Sequence, residues 1–114
     1  MDAHLQDERL YDRLAAICKT FASPWRIRIV EELGDQERPV SYLVDRLGIP
    51  KSNVSQHLSL MREKGVVAFR REDGHVYYRL TNPKLLEACR LMRAVMIEQF
   101  ESDGALALST RSTL

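Results

Sequence analysis

A run of polar side chains near the middle of the chain offers the clearest chemistry in the sequence. Serine, asparagine, glutamine and histidine can donate and accept hydrogen bonds at the edges of nucleic-acid bases, and lysine reaches phosphate. Val54 and Leu58 are four residues apart, so they share one helical face, and Ser55 and Gln56 must point away from it. The candidate contacts to bases and phosphates are Lys51, Ser52, Asn53, Ser55, Gln56 and His57.

A second group of candidate contacts lies in two segments with the alternation of β-strands. Residues 67–72 and 75–80 alternate apolar and polar side chains on either side of Asp73-Gly74, a pair typical of a hairpin turn. This pattern predicts a β-hairpin with basic side chains near its tip and Tyr77 on its outer face. Such groups would contact phosphates or the minor groove, although an exposed basic hairpin without a partner has the same composition. The candidates here are Arg70, Arg71, His75 and Tyr77.

Helices must hold both groups in place. Ser23-Pro24 and Asn82-Pro83 are strong helix starts, because Ser and Asn cap free amides and proline fits a first turn. Helical spacing of apolar residues predicts five helices, at about residues 5–21, 24–33, 41–47, 51–64 and 83–100. Only Ile49 and Pro50 separate the third helix from the fourth, so those two must cross steeply, as in a helix-turn-helix. We therefore predict a mainly α (α+β) winged helix-turn-helix fold of order α-α-α-α-β-β-α.

Composition and charge narrow the function classes. The 114 residues carry a net charge of +1, which excludes a uniformly basic coat for nucleic acid. Residues 41–80, however, hold seven Lys and Arg against four Asp and Glu, so the middle third is the candidate surface for a polyanion. No apolar run approaches the ~20 residues of a membrane span, and the first residues lack the apolar core of a signal peptide. We expect a cytoplasmic protein with no membrane partner.

Catalysis is the weakest interpretation of the sequence. His4, His57 and His75 have no cysteine or acid at a motif spacing, and no glycine-rich phosphate loop is present. We expect no enzymatic activity.

Three segments together resemble the ArsR/SmtB family of bacterial repressors, over about residues 10–100. They are LGIPKSNVSQHL at residues 47–58, LMREKGVV at 60–67 and GHVYYRL at 74–80. The resemblance implies a homodimer formed by the first and last helices, binding to operator DNA, and release when an inducer reaches the dimer. Residues 1–101 would then form one DNA-binding and dimerisation domain, and residues 102–114 a flexible tail. Two subunits predict an operator that is an imperfect inverted repeat with half-sites about one helical turn apart.

The metal sites of that family are not matched here. One of them uses cysteines at the start of the third helix, where residues 37–41 have none. The other uses acidic and histidine ligands in the last helix. The four matching positions in this chain hold Asn82, Lys84, Val95 and Glu98, and of these only Glu98 is able to bind a metal. We expect neither zinc sensing nor a resident cofactor.

The sequence contains two cysteines, Cys18 and Cys89. Three interpretations of their role are possible, and each implies a different answer about the inducer. Both can be small apolar core residues, as free cysteines commonly are. They can also form a thiol switch, in which oxidation or persulfide formation alters helix packing. A persulfide-sensing branch of the family places a cysteine in the second helix, where this chain has none. Finally, they can bind As(III), or Cu(I) with Met92 and Met96.

The sequence and the resemblance together predict a dimeric, sequence-specific DNA-binding repressor that an inducer releases from its operator, with thiol chemistry at Cys18 and Cys89 as one route to that release. Two alternatives stay open: a winged helix that only binds other proteins, and a repressor without thiol or metal sensing. Polar side chains at residues 51–56 favour DNA, because a protein-binding face needs apolar and aromatic anchors.

Overall fold

A computed structural model describes residues 7–104. Its helices are α1 (Glu8–Thr20), α2 (Pro24–Leu33), α3 (Val40–Leu47), α4 (Lys51–Glu63) and α5 (Lys84–Asp103), and its strands are β1 (Arg38–Pro39), β2 (Val67–Glu72) and β3 (His75–Leu80). The predicted order of five helices and a hairpin is confirmed. Most of the predicted flexible tail, from residue 105 onward, lies outside the described residues.

The predicted helix starts follow from local capping chemistry. The Ser23 hydroxyl accepts a hydrogen bond from the Arg26 amide at 3.4 Å, with Pro24 in the first turn of α2. The Asn82 side chain accepts from the Lys84 amide at 2.9 Å at the start of α5. At the end of α3, Gly48 adopts φ +70°, a left-handed conformation that glycine takes without steric cost.

Three boundaries differ from the prediction. The polar residues after the second helix predict a loop from Asp35 to Arg38, but Arg38 already belongs to β1, which pairs with Tyr77–Tyr78 of β3. This pairing brings the chain straight into α3, which begins at Val40 without a side-chain cap rather than at Ser41. Helix α5 continues beyond the predicted end near residue 100, to Asp103, where Gly104 with φ +72° ends it.

The sheet is antiparallel with strand order β1-β3-β2. Asp73 and Gly74 join β2 to β3 with φ of +53° and +79°, and positive φ at both central residues suits the right-handed twist of a hairpin. Cross-strand register places Phe69 opposite Tyr78 and Arg70 opposite Tyr77. Hairpin β2–β3 is the wing.

The core forms between α2, α3, α4 and the base of the wing. Three apolar residues of α4, namely Val54, Leu58 and Met61, are fully buried, which fixes both the position and the rotation of this helix. The other buried apolar residues come from neighbouring elements: Ile29, Val30, Leu33, Leu43, Leu47, Val66, Val67, Leu80 and Leu86.

Helices α1 and α5 leave apolar side chains outside this core. Leu14 of α1 is 54 % exposed, and Leu91 and Met92 of α5 are 69 % and 65 % exposed. The other large apolar residues exposed on these two helices are Leu10, Tyr11, Val95, Met96, Ile97 and Phe100. We refer to these nine residues together as the outer apolar face. No helix within residues 7–104 is long and apolar enough to cross a membrane.

Candidate nucleic-acid interface

The outward side of α4 carries the predicted polar contacts. Lys51, Ser52, Asn53 and Gln56 are exposed, while Ser55 is half-buried. Ser52 and Gln56 lie opposite the buried Val54 and Leu58, whereas Lys51 is exposed because it is the first residue of the helix. The first turns of α4 therefore present hydrogen-bonding groups to solvent on a helix that the core holds rigidly.

Neither Ser52 nor Asn53 caps α4. Pro50 is the capping residue and makes no side-chain hydrogen bond to the helix. The Ser52 hydroxyl instead donates to the Asn53 side-chain oxygen at 3.4 Å, and both residues are exposed. The two side chains therefore make no capping hydrogen bond to the backbone at the start of α4 and are available to a ligand.

His57 is placed differently from the other predicted contacts. It is half-buried, and its Nδ1 lies 3.4 Å from Nη1 of Arg26 in α2. The Nε of Arg26 donates to the backbone oxygen of Thr20, at the end of α1, at 2.6 Å. Burial, and then the charge of Arg26, lower the pKa of His57, so its neutral ring accepts the bond from Arg26. This side chain joins α4 to α2 and, through Arg26, to α1.

The two predicted arginines of the wing have different surroundings. Arg70 forms ion pairs with Glu37, at 2.8 Å, and with Glu72, and its guanidinium lies 5.0 Å from the centre of the Tyr77 ring. Its charge is already matched by two carboxylates. Arg71 projects from the opposite face of β2, where its guanidinium lies 5.5 Å from the centre of the Phe69 ring.

The remaining wing candidates lie close together near the tip. His75 is exposed, and its ring stands edge-on to that of Tyr77 with 6.4 Å between the centroids. Tyr77 is half-buried rather than fully outside, because Arg70 covers one side of its ring.

Arg62 is a basic residue of this surface that sequence reasoning missed. It is exposed in the last turn of α4, and its guanidinium lies 4.6 Å from the centre of the Phe69 ring. Its spacing could have revealed it, since it follows Ser55 by seven residues and therefore occupies the same face of α4.

The two cysteines differ in exposure, and neither is in a disulfide. Cys18 of α1 is exposed, whereas Cys89 of α5 is half-buried against the core. Burial raises the pKa of the Cys89 thiol, and the nearby Glu31 carboxylate adds to this effect. Within residues 7–104, no three His, Cys, Asp or Glu side chains are grouped closely enough to hold a metal ion.

A polar recognition helix crossing its partner helix beside a two-stranded wing defines the class of winged helix-turn-helix transcriptional regulators. Comparisons with known proteins agree with this class. The family model described as "Bacterial regulatory protein, arsR family" matches residues 23–68.

Similar proteins have been named in several bacteria. The chain is 38 % identical over 93 residues to the HTH-type transcriptional regulator Rv0081 of Mycobacterium tuberculosis, covering 81 % of this chain and 82 % of that protein. The crystal structure of Rv0081 matches with a TM-score of 0.74 at 36 % identity, over 82 % of this chain and 95 % of that one. The transcriptional repressor PagR of Bacillus anthracis is 37 % identical over 71 % of this chain and 82 % of its own length.

A second structural neighbour is the homodimeric winged helix-turn-helix DNA-binding domain of Mb0332 from Mycobacterium bovis. It has a TM-score of 0.76 at 27 % identity and covers 85 % of this chain and 90 % of that domain. The chain belongs to the ArsR family of bacterial regulatory proteins, a non-enzymatic class.

Proposed function

We propose that the protein is a dimeric repressor that binds operator DNA through α4 and the wing and leaves it when an inducer acts. One observation carries this proposal: α4 buries three apolar anchors and exposes hydrogen-bonding side chains in its first two turns, with a basic wing beside it. This arrangement suits a helix that enters a major groove while the wing lies along the adjacent backbone. The name of the similar protein PagR, a transcriptional repressor, supports repression as the outcome.

Dimerisation is supported by the outer apolar face. Nine large apolar residues are exposed on α1 and α5, and burying them against a partner would remove their apolar surface from water. We place a second copy of the chain there, in a symmetric dimer in which α1 and α5 of each protomer pack together. The homodimeric state of the Mb0332 domain is consistent with this assignment.

The operator follows from this symmetry. Two protomers related by a two-fold axis present two α4 helices, so the site is an imperfect inverted repeat with half-site centres about 34–36 Å apart. Base contacts come from Ser55, Gln56 and Asn53, while Lys51 and the wing bind phosphates.

A mobility-shift titration tests the proposal. The protein is mixed with its own promoter region, and with a scrambled duplex, at several salt concentrations. We expect a selective shift that weakens steeply as salt rises, because each phosphate contact releases counterions. Replacing Ser55 and Gln56 together by alanine should reduce selectivity by about 5- to 150-fold, the equivalent of ~1–3 kcal/mol for one good base contact. A wild-type protein that shifts both duplexes equally, or neither, would overturn the proposal.

The inducer response is the finer part of the proposal, and we place it at the two thiols. A thiolate is the reactive form of cysteine, and the raised pKa of Cys89 keeps that residue protonated at neutral pH. Cys18 lies outside the core on α1, four residues after Leu14 of the outer apolar face, so its reaction with an oxidant or arsenite acts directly on the proposed dimer contact. Modification of α1 would then alter the packing of the dimer helices and the spacing of the two recognition helices.

A further inference from the structure

We infer that Arg62, Phe69 and Arg71 form a second phosphate-binding site, at the end of α4 opposite Lys51, built jointly by the recognition helix and the wing. This inference rests on the proposed function. It adds contacts to the DNA backbone from residues that lie outside the first turns of α4. We call these three residues the arginine–phenylalanine cluster. Its ligand is the sugar–phosphate backbone of the duplex that α4 enters.

The geometry of the cluster comes from the wing register. Alternation places Phe69 and Arg71 on the face of β2 that also carries buried Val67, so both residues point towards α4. Arg62 reaches this face from the last turn of α4. The two guanidinium groups lie 4.6 Å and 5.5 Å from the centre of the same ring. The ring of Phe69 therefore holds both cations in place, through cation–π attraction.

Charge distinguishes this face of the wing from the other. Within residues 7–104, Arg62 and Arg71 lie within ion-pair distance of no carboxylate, whereas Arg70 is paired with both Glu37 and Glu72. Arg79 lies on the same face as Arg70 and, within the described residues, forms no ion pair either, but its guanidinium donates to the backbone oxygen of Leu80 at 3.3 Å at the base of the wing. The side facing α4 is therefore where two unpaired guanidinium groups meet on one ring. One acidic residue, Glu63, lines the shallow depression beside the cluster together with Ser59, Arg62 and Tyr78.

Position along α4 identifies the polyanion as the DNA backbone. Lys51, Ser55, Ser59 and Arg62 follow one another at spacings of four, four and three residues, so they form a single stripe on the helix. The stripe has a cation at each end and two hydroxyls between them. Eleven residues span ~16 Å along a helix axis, against a major groove ~12 Å wide. Because this length exceeds the width of the groove, an α4 helix whose first turns enter the groove reaches the backbone with Lys51 on one side and with Arg62 on the other.

Salt dependence of operator binding tests the inference. The slope of log affinity against log salt falls by about 0.9 for each phosphate that is no longer neutralised, and removing one residue type from a dimer frees two phosphates. We therefore expect Arg62→Gln and Arg71→Gln each to reduce the slope by about two. Both variants should weaken binding to operator and to scrambled DNA equally, because phosphates carry no sequence information. Arg62→Lys should restore the slope, since it keeps the charge.

Two further variants serve as controls. Arg70→Gln changes the charge of the same strand by the same amount, but Arg70 is already ion-paired, so the slope should change by less than half as much as for Arg71→Gln. Glu63→Gln should strengthen binding, because it removes the carboxylate beside the cluster. Thermal unfolding of each variant checks that the fold is intact. Wild-type slope and affinity in a folded Arg62→Gln variant would overturn the cluster alone, whereas wild-type protein that binds no operator overturns the proposed function.

Discussion

Leu91 gives the sharpest test of the dimer, because it is 69 % exposed in the isolated chain. Full burial of a leucine side chain stabilises a protein by ~1.5–3 kcal/mol. Applied to the exposed part of Leu91, this corresponds to about 1–2 kcal/mol per protomer and about 2–4 kcal/mol for a symmetric dimer. We therefore expect Leu91→Ala to raise the dissociation constant of the dimer about 30- to 1000-fold.

Sedimentation equilibrium over a dilution series measures this constant directly. Helix α5 itself should not be weakened, because alanine has the highest helix propensity and Leu91 packs against little of its own chain. Asp45→Ala, at an exposed position of α3 and outside the two dimer helices, is the control and should leave the dimer unchanged. The reasoning is refuted if Leu91→Ala dimerises as tightly as wild type, or if the wild-type protein is monomeric at every concentration.

Two further predictions concern titratable side chains. The pKa of His57 is lowered in the folded protein, so the unfolded chain binds the proton more tightly and stability falls as pH drops below ~6.5, the ordinary value for histidine. Denaturant unfolding at pH 7.5 and 5.5 should show a loss of folding free energy in wild type that His57→Gln reduces. Equal losses in both proteins would contradict the lowered pKa of the half-buried His57. For the thiols, Cys18→Ser should leave operator affinity unchanged and prevent release of DNA by hydrogen peroxide or arsenite, measured by fluorescence anisotropy. Cys89→Ser should slow release by a smaller factor, and normal release from both serine variants would refute thiol sensing.

Features set by neighbouring residues could be predicted from the sequence. The helix starts at Pro24 and Lys84 depend on a cap and a proline within two residues of each other. The hairpin depends on Asp73-Gly74 and on alternation in the strands beside it. In both cases the determining interaction lies within a few residues, so a pattern in the chain reports it.

Features set by distant residues were not visible in the sequence. Strand β1 has two residues and no periodicity, and it exists because Arg38 pairs with Tyr78. Similarly, the contact of His57 with Arg26 and the ion pair of Arg70 with Glu37 join residues more than thirty positions apart. His57 and Arg70 are predicted as DNA contacts from their residue type and local position. Their contacts with Arg26 and Glu37 in the folded protein restrict what the two side chains can reach.

The packing of α4 restricts how an inducer can act. Val54, Leu58 and Met61 are fully buried between α2, α3 and the wing, so sliding or rotating α4 within a protomer would break the core. The base-contacting side chains are thus fixed relative to their own protomer, and a change in operator affinity requires the two protomers to move relative to each other. In the proposed dimer that movement occurs where α1 and α5 meet, which are the helices that carry Cys18 and Cys89. An inducer acting there needs to shift only the spacing between two rigidly held recognition helices, because the two half-sites of a given operator have a fixed separation.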